Sequence, residues 1–253
     1  MGFLFWGLVP LKKCEEVISN NIEKINSVIR ENCKISKIDH KDIILIGASK
    51  AQSIESIKEA CDAGLKHVGE NYLQEAEIKI NSLGESLIWH FIGSIQSKKA
   101  KKIAEIFDWV HTVDSIKVAK KLNAARPISK GPLNVCLQLN IDYEETKSGL
   151  NEIELEEFLD RTKNLENIKI RGLMVIPKPR ESLEEQKKIF RAVKENCGHD
   201  TRRSRFVKQE KVLLLEAQQN LRHLRKSICF FEVRKEKYMV RWGSWRPPPH
   251  THT

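Results

Sequence analysis

Apolar residues recur at three- and four-residue steps between Leu11 and Cys33. Val17, Ile18, Ile22, Ile25, Val28 and Ile29 fall on one face, the spacing of an amphipathic helix. Past this helix the period changes. Short runs rich in Ile, Val and Leu predict strands at 43–48, 67–69, 87–92, 109–113, 133–140 and 169–176. Helical spacing predicts helices at 53–63, 72–82, 97–106, 115–126, 152–164 and 183–196. The strand runs are near-continuously apolar, as strands covered on both faces should be. Alternating β and α units imply a parallel sheet, and six such units are legible.

The regular alternation stops near Cys197. Thr201-Arg202-Arg203-Ser204-Arg205 precedes residues 211–226, which read as a helix through Leu213, Leu214, Leu221 and Leu224. Residues 228–233 and 237–242 read as strands. The final stretch, with Pro247-Pro248-Pro249, suits neither a helix interior nor a central strand. The chain therefore divides into an apolar N-terminal extension over 1–10, an α/β unit over 11–198 and an atypical tail over 199–253.

Composition sharpens this division. The 253 residues, 40% of them hydrophobic, suffice for one α/β barrel domain. Mean hydropathy is -0.44, and no apolar run reaches the ~20 residues of a membrane span. Positions 2–9 are apolar, but neither a basic region nor a cleavage site flanks them, so no secretory signal is read there. Six cysteines, at 14, 33, 61, 136, 197 and 229, form no CxxC pair and read as free thiols of a cytoplasmic protein. No HExxH pattern is present, and no metal is assigned. The net charge of +10 is uneven: residues 199–253 hold 13 Lys/Arg against 5 Asp/Glu and so supply +8 of it. Phe206, Phe230, Phe231, Tyr238, Trp242 and Trp245 lie among those basic residues and could stack on bases, yet no recognised nucleic-acid motif organises them.

Lys50 stands at the end of the first apolar strand. Desolvation there favours a neutral amine able to attack an aldehyde, although a strand-terminal lysine by itself is more often a solvated cap. The run continues with Gly69-Glu70-Asn71-Tyr72, Trp89-His90-Phe91-Ile92-Gly93, Phe107-Asp108-Trp109-Val110-His111, Lys147-Ser148-Gly149 and Arg171-Gly172-Leu173-Met174. In order and spacing these segments resemble the pyridoxal-phosphate homeostasis family from about Ile43 to Pro179.

That resemblance implies a TIM-type (β/α) barrel of the alanine-racemase N-terminal-domain kind. It implies pyridoxal 5′-phosphate (PLP) carried as a Schiff base on Lys50, in a non-enzymatic role in vitamin B6 homeostasis. Asn71 would hydrogen-bond near the cofactor ring, or would simply serve its turn. His90 would line the pocket or, as the stronger reading, be a hydrogen-bonded core residue. Met174 would pack against the pocket. The family's seventh-strand Ser-Met-Gly-Met-Ser segment has no match here. Val240-Arg241-Trp242-Gly243-Ser244 faintly echoes the eighth, leaving Arg241 and Gly243 as phosphate candidates and closure of the barrel open. The partners expected are PLP and, transiently, PLP-dependent enzymes. Neither a membrane nor nucleic acid is expected, and the chain is expected as a monomer. The alternatives are a PLP-dependent racemase-like enzyme, a nucleic-acid-binding protein acting through the tail, and a defective truncated product.

Overall fold

The computed structural model describes residues 12–176 apart from 36, 38, 85 and 144–147. It also describes residues 178, 185, 188 and 189 and three short strands further on. Helix α1, Lys12–Ile35, precedes the repeating unit and buries Ile22, Ile25 and Cys33. Then follow β1 (Ile44–Ala48), α2 (Ile54–Asp62), β2 (His67–Glu70), α3 (Leu73–Leu83), β3 (Ile88–Phe91) and α4 (Ala100–Ile106). The series continues with β4 (Trp109–Val113), α5 (Ile116–Ala125), β5 (Leu133–Leu139), α6 (Glu152–Thr162) and β6 (Ile168–Val175).

Local signals begin and end these helices. The Ser53 side chain accepts the Ser56 N–H at the start of α2. At α6, Asn151 and Glu154 form a reciprocal capping box. Gly84, at φ +74°, ends α3 in a conformation that glycine adopts without strain. Helix α4 begins at Ala100, three residues later than its expected start at 97, because 97–99 form a turn.

The six strands pair in parallel in chain order, β1 to β6, with pairs such as Ile46 with His67, Gly69 with His90 and His90 with Trp109. The register shifts once between β4 and β5 and once between β5 and β6. Strand parity sorts the apolar side chains onto two faces. Val68, Trp89, Phe91, Val110, Leu133 and Val135 meet the helices. There Phe91 and Phe107 meet edge to face at 5.2 Å, and Phe158 of α6 is fully buried. Burying each such aromatic side chain contributes roughly 1.5–3 kcal/mol. The opposite face carries a second cluster, with Ile46, Ala48, Trp109, Cys136 and Met174 from the strands and Ile92 from just past β3.

Three short strands complete the described residues: β7 (Leu214–Glu216), β8 (Cys229–Phe231) and β9 (Met239–Arg241). Strand β8 pairs with β1 antiparallel, Leu45 opposite Phe230, and makes the sheet seven-stranded. Strands β7 and β9 pair in parallel as a separate sheet. The strand at Leu214–Glu216 overturns the helix expected over 211–226. A continuous apolar run such as Val212-Leu213-Leu214-Leu215 fits either period, and the pairing with β9 decides for the strand. Of the helix expected at 183–196, Glu185, Lys188 and Ile189 are described and are helical. The extension over 1–10, Lys147 and Gly243 lie outside the described residues.

Candidate functional site

Functional groups of parallel β/α folds gather where strands end and the following loops begin. Lys50 occupies that place after β1, two positions beyond Ala48 of the second cluster, and is half-buried. The neighbouring strand holds Asn71 at the matching place. Ala48 pairs with Gly69, and each chain then runs two residues on to Lys50 and to Asn71. The Ser49 N–H donates to the Gly69 carbonyl at 2.8 Å and carries the pairing past the strand end.

Asn71 is held from a third strand. A Cβ on Gly93 would overlap the Asn71 carbonyl oxygen, so the turn after β3 seats against the turn after β2 by bare backbone contact. The Thr112 hydroxyl donates to the Gly93 carbonyl at 2.5 Å and fixes that turn to β4. Within this setting Asn71 Oδ1 is buried without a hydrogen-bond partner. Leaving such a group unsatisfied costs roughly 1–3 kcal/mol. A polar ligand beside Lys50 would recover that cost. The pair therefore fits a small molecule that offers both a carbonyl to the amine and a polar group to the amide.

Beneath these residues runs a chain of imidazoles. His67 Nδ1 and His90 Nε2 lie 2.9 Å apart, as do His90 Nδ1 and His111 Nε2. Burial, with Lys66 nearby, pushes His67 down to about 4. Fully buried His90 is pushed well below the ordinary histidine range by burial and then by His111 and His67. The Trp109 ring stacks on both His90 and His111, with centroids 5.7 and 5.9 Å away. On its own side the Arg171 guanidinium lies 5.7 Å from the Trp109 ring centroid and donates to Asn134 Oδ1 at 2.6 Å.

The structure thus brings Lys50 and Asn71 to one rim and puts Met174, fully buried, in the apolar cluster with Ala48. His90 sits in the core with both ring nitrogens engaged, in line with its structural reading. Arg241 lies in β9, paired with β7 rather than with the six-stranded run. His67, His111, Trp109 and Arg171 were not singled out from the sequence. The usable signal was strand parity, since 109 and 111 share a face with each other and 90 aligns with 109. Among the described residues no group of three or more His, Cys, Asp or Glu could hold a metal ion. No described helix is long and apolar enough to cross a membrane.

Comparison with known proteins bears on the family and the fold. The family model for the alanine racemase N-terminal domain matches residues 16–245, extending into the segment after 198. The pyridoxal phosphate homeostasis protein of Pseudomonas aeruginosa is 42% identical over 190 residues, 73% of this chain and 83% of the relative. Its namesake from Escherichia coli K12 is 38% identical over 178 residues, 69% of this chain and 76% of the relative. The structure of PipY from Synechococcus elongatus with PLP bound superposes with a TM-score of 0.64 at 28% identity, covering 78% of this chain and 89% of that one. Alanine racemase from Bacillus anthracis, with bound L-Ala-P, gives a TM-score of 0.60 at 14% identity, over 90% of this chain and 55% of that one. At that identity the likeness concerns the fold alone.

Proposed function

This chain belongs to the pyridoxal phosphate homeostasis proteins of the alanine racemase N-terminal domain family, and from that premise we propose that it binds PLP on Lys50 and holds it for vitamin B6 homeostasis. The observation that carries the reading is the pairing at one rim of a half-buried lysine with a buried, unpartnered amide oxygen. PLP supplies an aldehyde with which a neutral amine condenses reversibly, losing water. Lys50 Nζ is the amine. Asn71 orients the ring through its side-chain amide, and Met174 with Ala48 backs the site with apolar surface that excludes water.

Carriage rather than turnover is the reading we favour. A racemase needs a second acid/base group on the opposite face of its substrate. His90 is not such a group, because both ring nitrogens are engaged and burial keeps the ring neutral. On this reading the protein limits free aldehyde and hands PLP to dependent enzymes as a cytoplasmic monomer. Residues 11–198 form the carrying unit, and Arg241 and Gly243 contribute to phosphate binding.

The test is the visible absorption spectrum of the purified protein with PLP, repeated on Lys50→Ala. We expect a band at longer wavelength than that of the free cofactor, abolished by the substitution. The same band in Lys50→Ala would overturn the assignment. Incubating the loaded protein with L-alanine and assaying for the D-isomer tests the second half, and sustained racemisation would replace the carrier with an enzyme.

A further inference from the structure

Lys79 lies on α3, yet its side chain is turned inward and is 7% exposed. A buried ammonium is costly unless its N–H groups are all used. Here they are: Nζ donates to the Ser49 carbonyl at 2.7 Å, to Glu70 Oε1 at 2.5 Å and to Glu75 Oε2 at 3.1 Å. Glu70, fully buried, also accepts the Ser49 hydroxyl at 2.6 Å and the Asn71 N–H at 3.1 Å. Glu75 in turn accepts the Ala51 N–H at 3.1 Å. Ala51 adopts φ +56°, a left-handed conformation that costs a residue with a Cβ and persists only where its surroundings enforce it.

These bonds converge on three positions: the residue before Lys50, the residue after it, and the backbone of Asn71. We propose that Glu70, Lys79 and Glu75 form a positioning cluster for the PLP site, clamping the backbone on both sides of Lys50 and tying it to Asn71. None of the three need touch the cofactor. They act through Ser49, Ala51 and Asn71, and the inference rests on the reading of Lys50 as the PLP-bearing residue. A cluster that served stability alone would have no reason to contact both neighbours of Lys50 and the amide of Asn71. Apolar replacement of a buried ion pair is often neutral for stability, so stability and positioning are separable by experiment.

The test uses the full chain and PLP itself. Glu75→Ala removes the Ala51 acceptor from a half-exposed side chain, so the fold should survive. Glu75→Gln keeps an oxygen for the same N–H and serves as the rescue. A Glu70→Leu/Lys79→Met double variant removes the buried pair together. Melting temperature, PLP affinity by fluorescence titration, the visible band and the fraction of Lys50 trapped by borohydride are read for each. Glu75→Ala should melt within a few degrees of the parent, bind PLP about tenfold more weakly, the worth of one lost hydrogen bond, and shift the band. Glu75→Gln should restore both. A folded Glu75→Ala with parental affinity, band and trapping would overturn the proposal, as would a folded double variant that behaves as the parent. Absence of a Lys50-dependent band in the parent protein would instead sink the underlying PLP assignment, and the cluster's role with it.

Discussion

His67 Nδ1 and His90 Nε2 share one hydrogen bond at 2.9 Å across β2 and β3, and His90 passes the contact on to His111. Both His67 and His90 are held below the ordinary histidine range, His67 at about 4. Between that value and about 6.5, the unfolded chain binds protons that the folded chain refuses. Stability contributed by the neutral imidazoles is therefore full above about pH 6.5 and lost as pH falls toward 4. Unfolding free energies from denaturant titrations between pH 7 and 4 should fall with a slope approaching about 1.4 kcal/mol per pH unit for each histidine. A His67→Phe/His90→Leu variant should flatten that slope, and an unchanged slope would refute the account.

Gly93 offers a test of the backbone contact. Gly93→Ala drives a methyl group into the Asn71 carbonyl, so the two turns must part. Overpacking of this kind costs about 1–3 kcal/mol. The loss should appear both in thermal unfolding and as weakened PLP binding, because Asn71 moves with its turn. Gly64→Ala is the control. Its Cβ would meet nothing within 4 Å, although its φ of +94° is unfavourable for alanine, so it should lower stability without changing affinity.

Arg126 ends α5 as a buried clamp. Its guanidinium donates to the carbonyls of Gly131, Ala104 and Phe107 at 2.7, 2.8 and 2.7 Å and to that of Lys130 at 3.3 Å. Arg126→Ala leaves these acceptors without their donor and should cost about 2–4 kcal/mol in chemical denaturation. Lysine cannot reproduce the planar fork, so Arg126→Lys should recover only part of the loss. PLP binding should persist in whatever fraction remains folded.

Thiol chemistry should follow burial. Burial pushes the Cys136 thiol up, against a smaller opposing effect of Arg171, and Cys136 is fully enclosed in the cluster with Ala48 and Met174. Cys61 is raised more modestly by burial and by Asp62. Under native alkylation at neutral pH, peptide mapping should find Cys61 labelled slowly and Cys136 untouched until the protein is denatured.

Much of this architecture is legible in the sequence. All six parallel strands and the helices between them were placed to within about three residues, because Ile, Val and Leu runs and three- and four-residue spacing are local signals. Motif order points to Lys50, Asn71 and Met174 as site candidates, and the structure puts the first two after β1 and β2, Met174 in the core, and His90 in the core with both ring nitrogens engaged. The helix expected at 211–226 failed because a continuous apolar run carries no period of its own, and only the partner strand β9 resolves it.

The sequence by itself thus determined the element pattern, the family and the place of Lys50 just past the first strand. Tertiary structure alone decided what surrounds that lysine. His67, His90 and His111 stand more than 20 residues apart in turn and meet only through strand register. Lys79 reaches Ser49 across 30 residues, and Gly93 touches Asn71 only because two turns converge. Periodicity reports which face a side chain takes within its own element. Which partner it meets depends on hydrogen-bond pairing between distant segments, a relation that no local window of the chain contains.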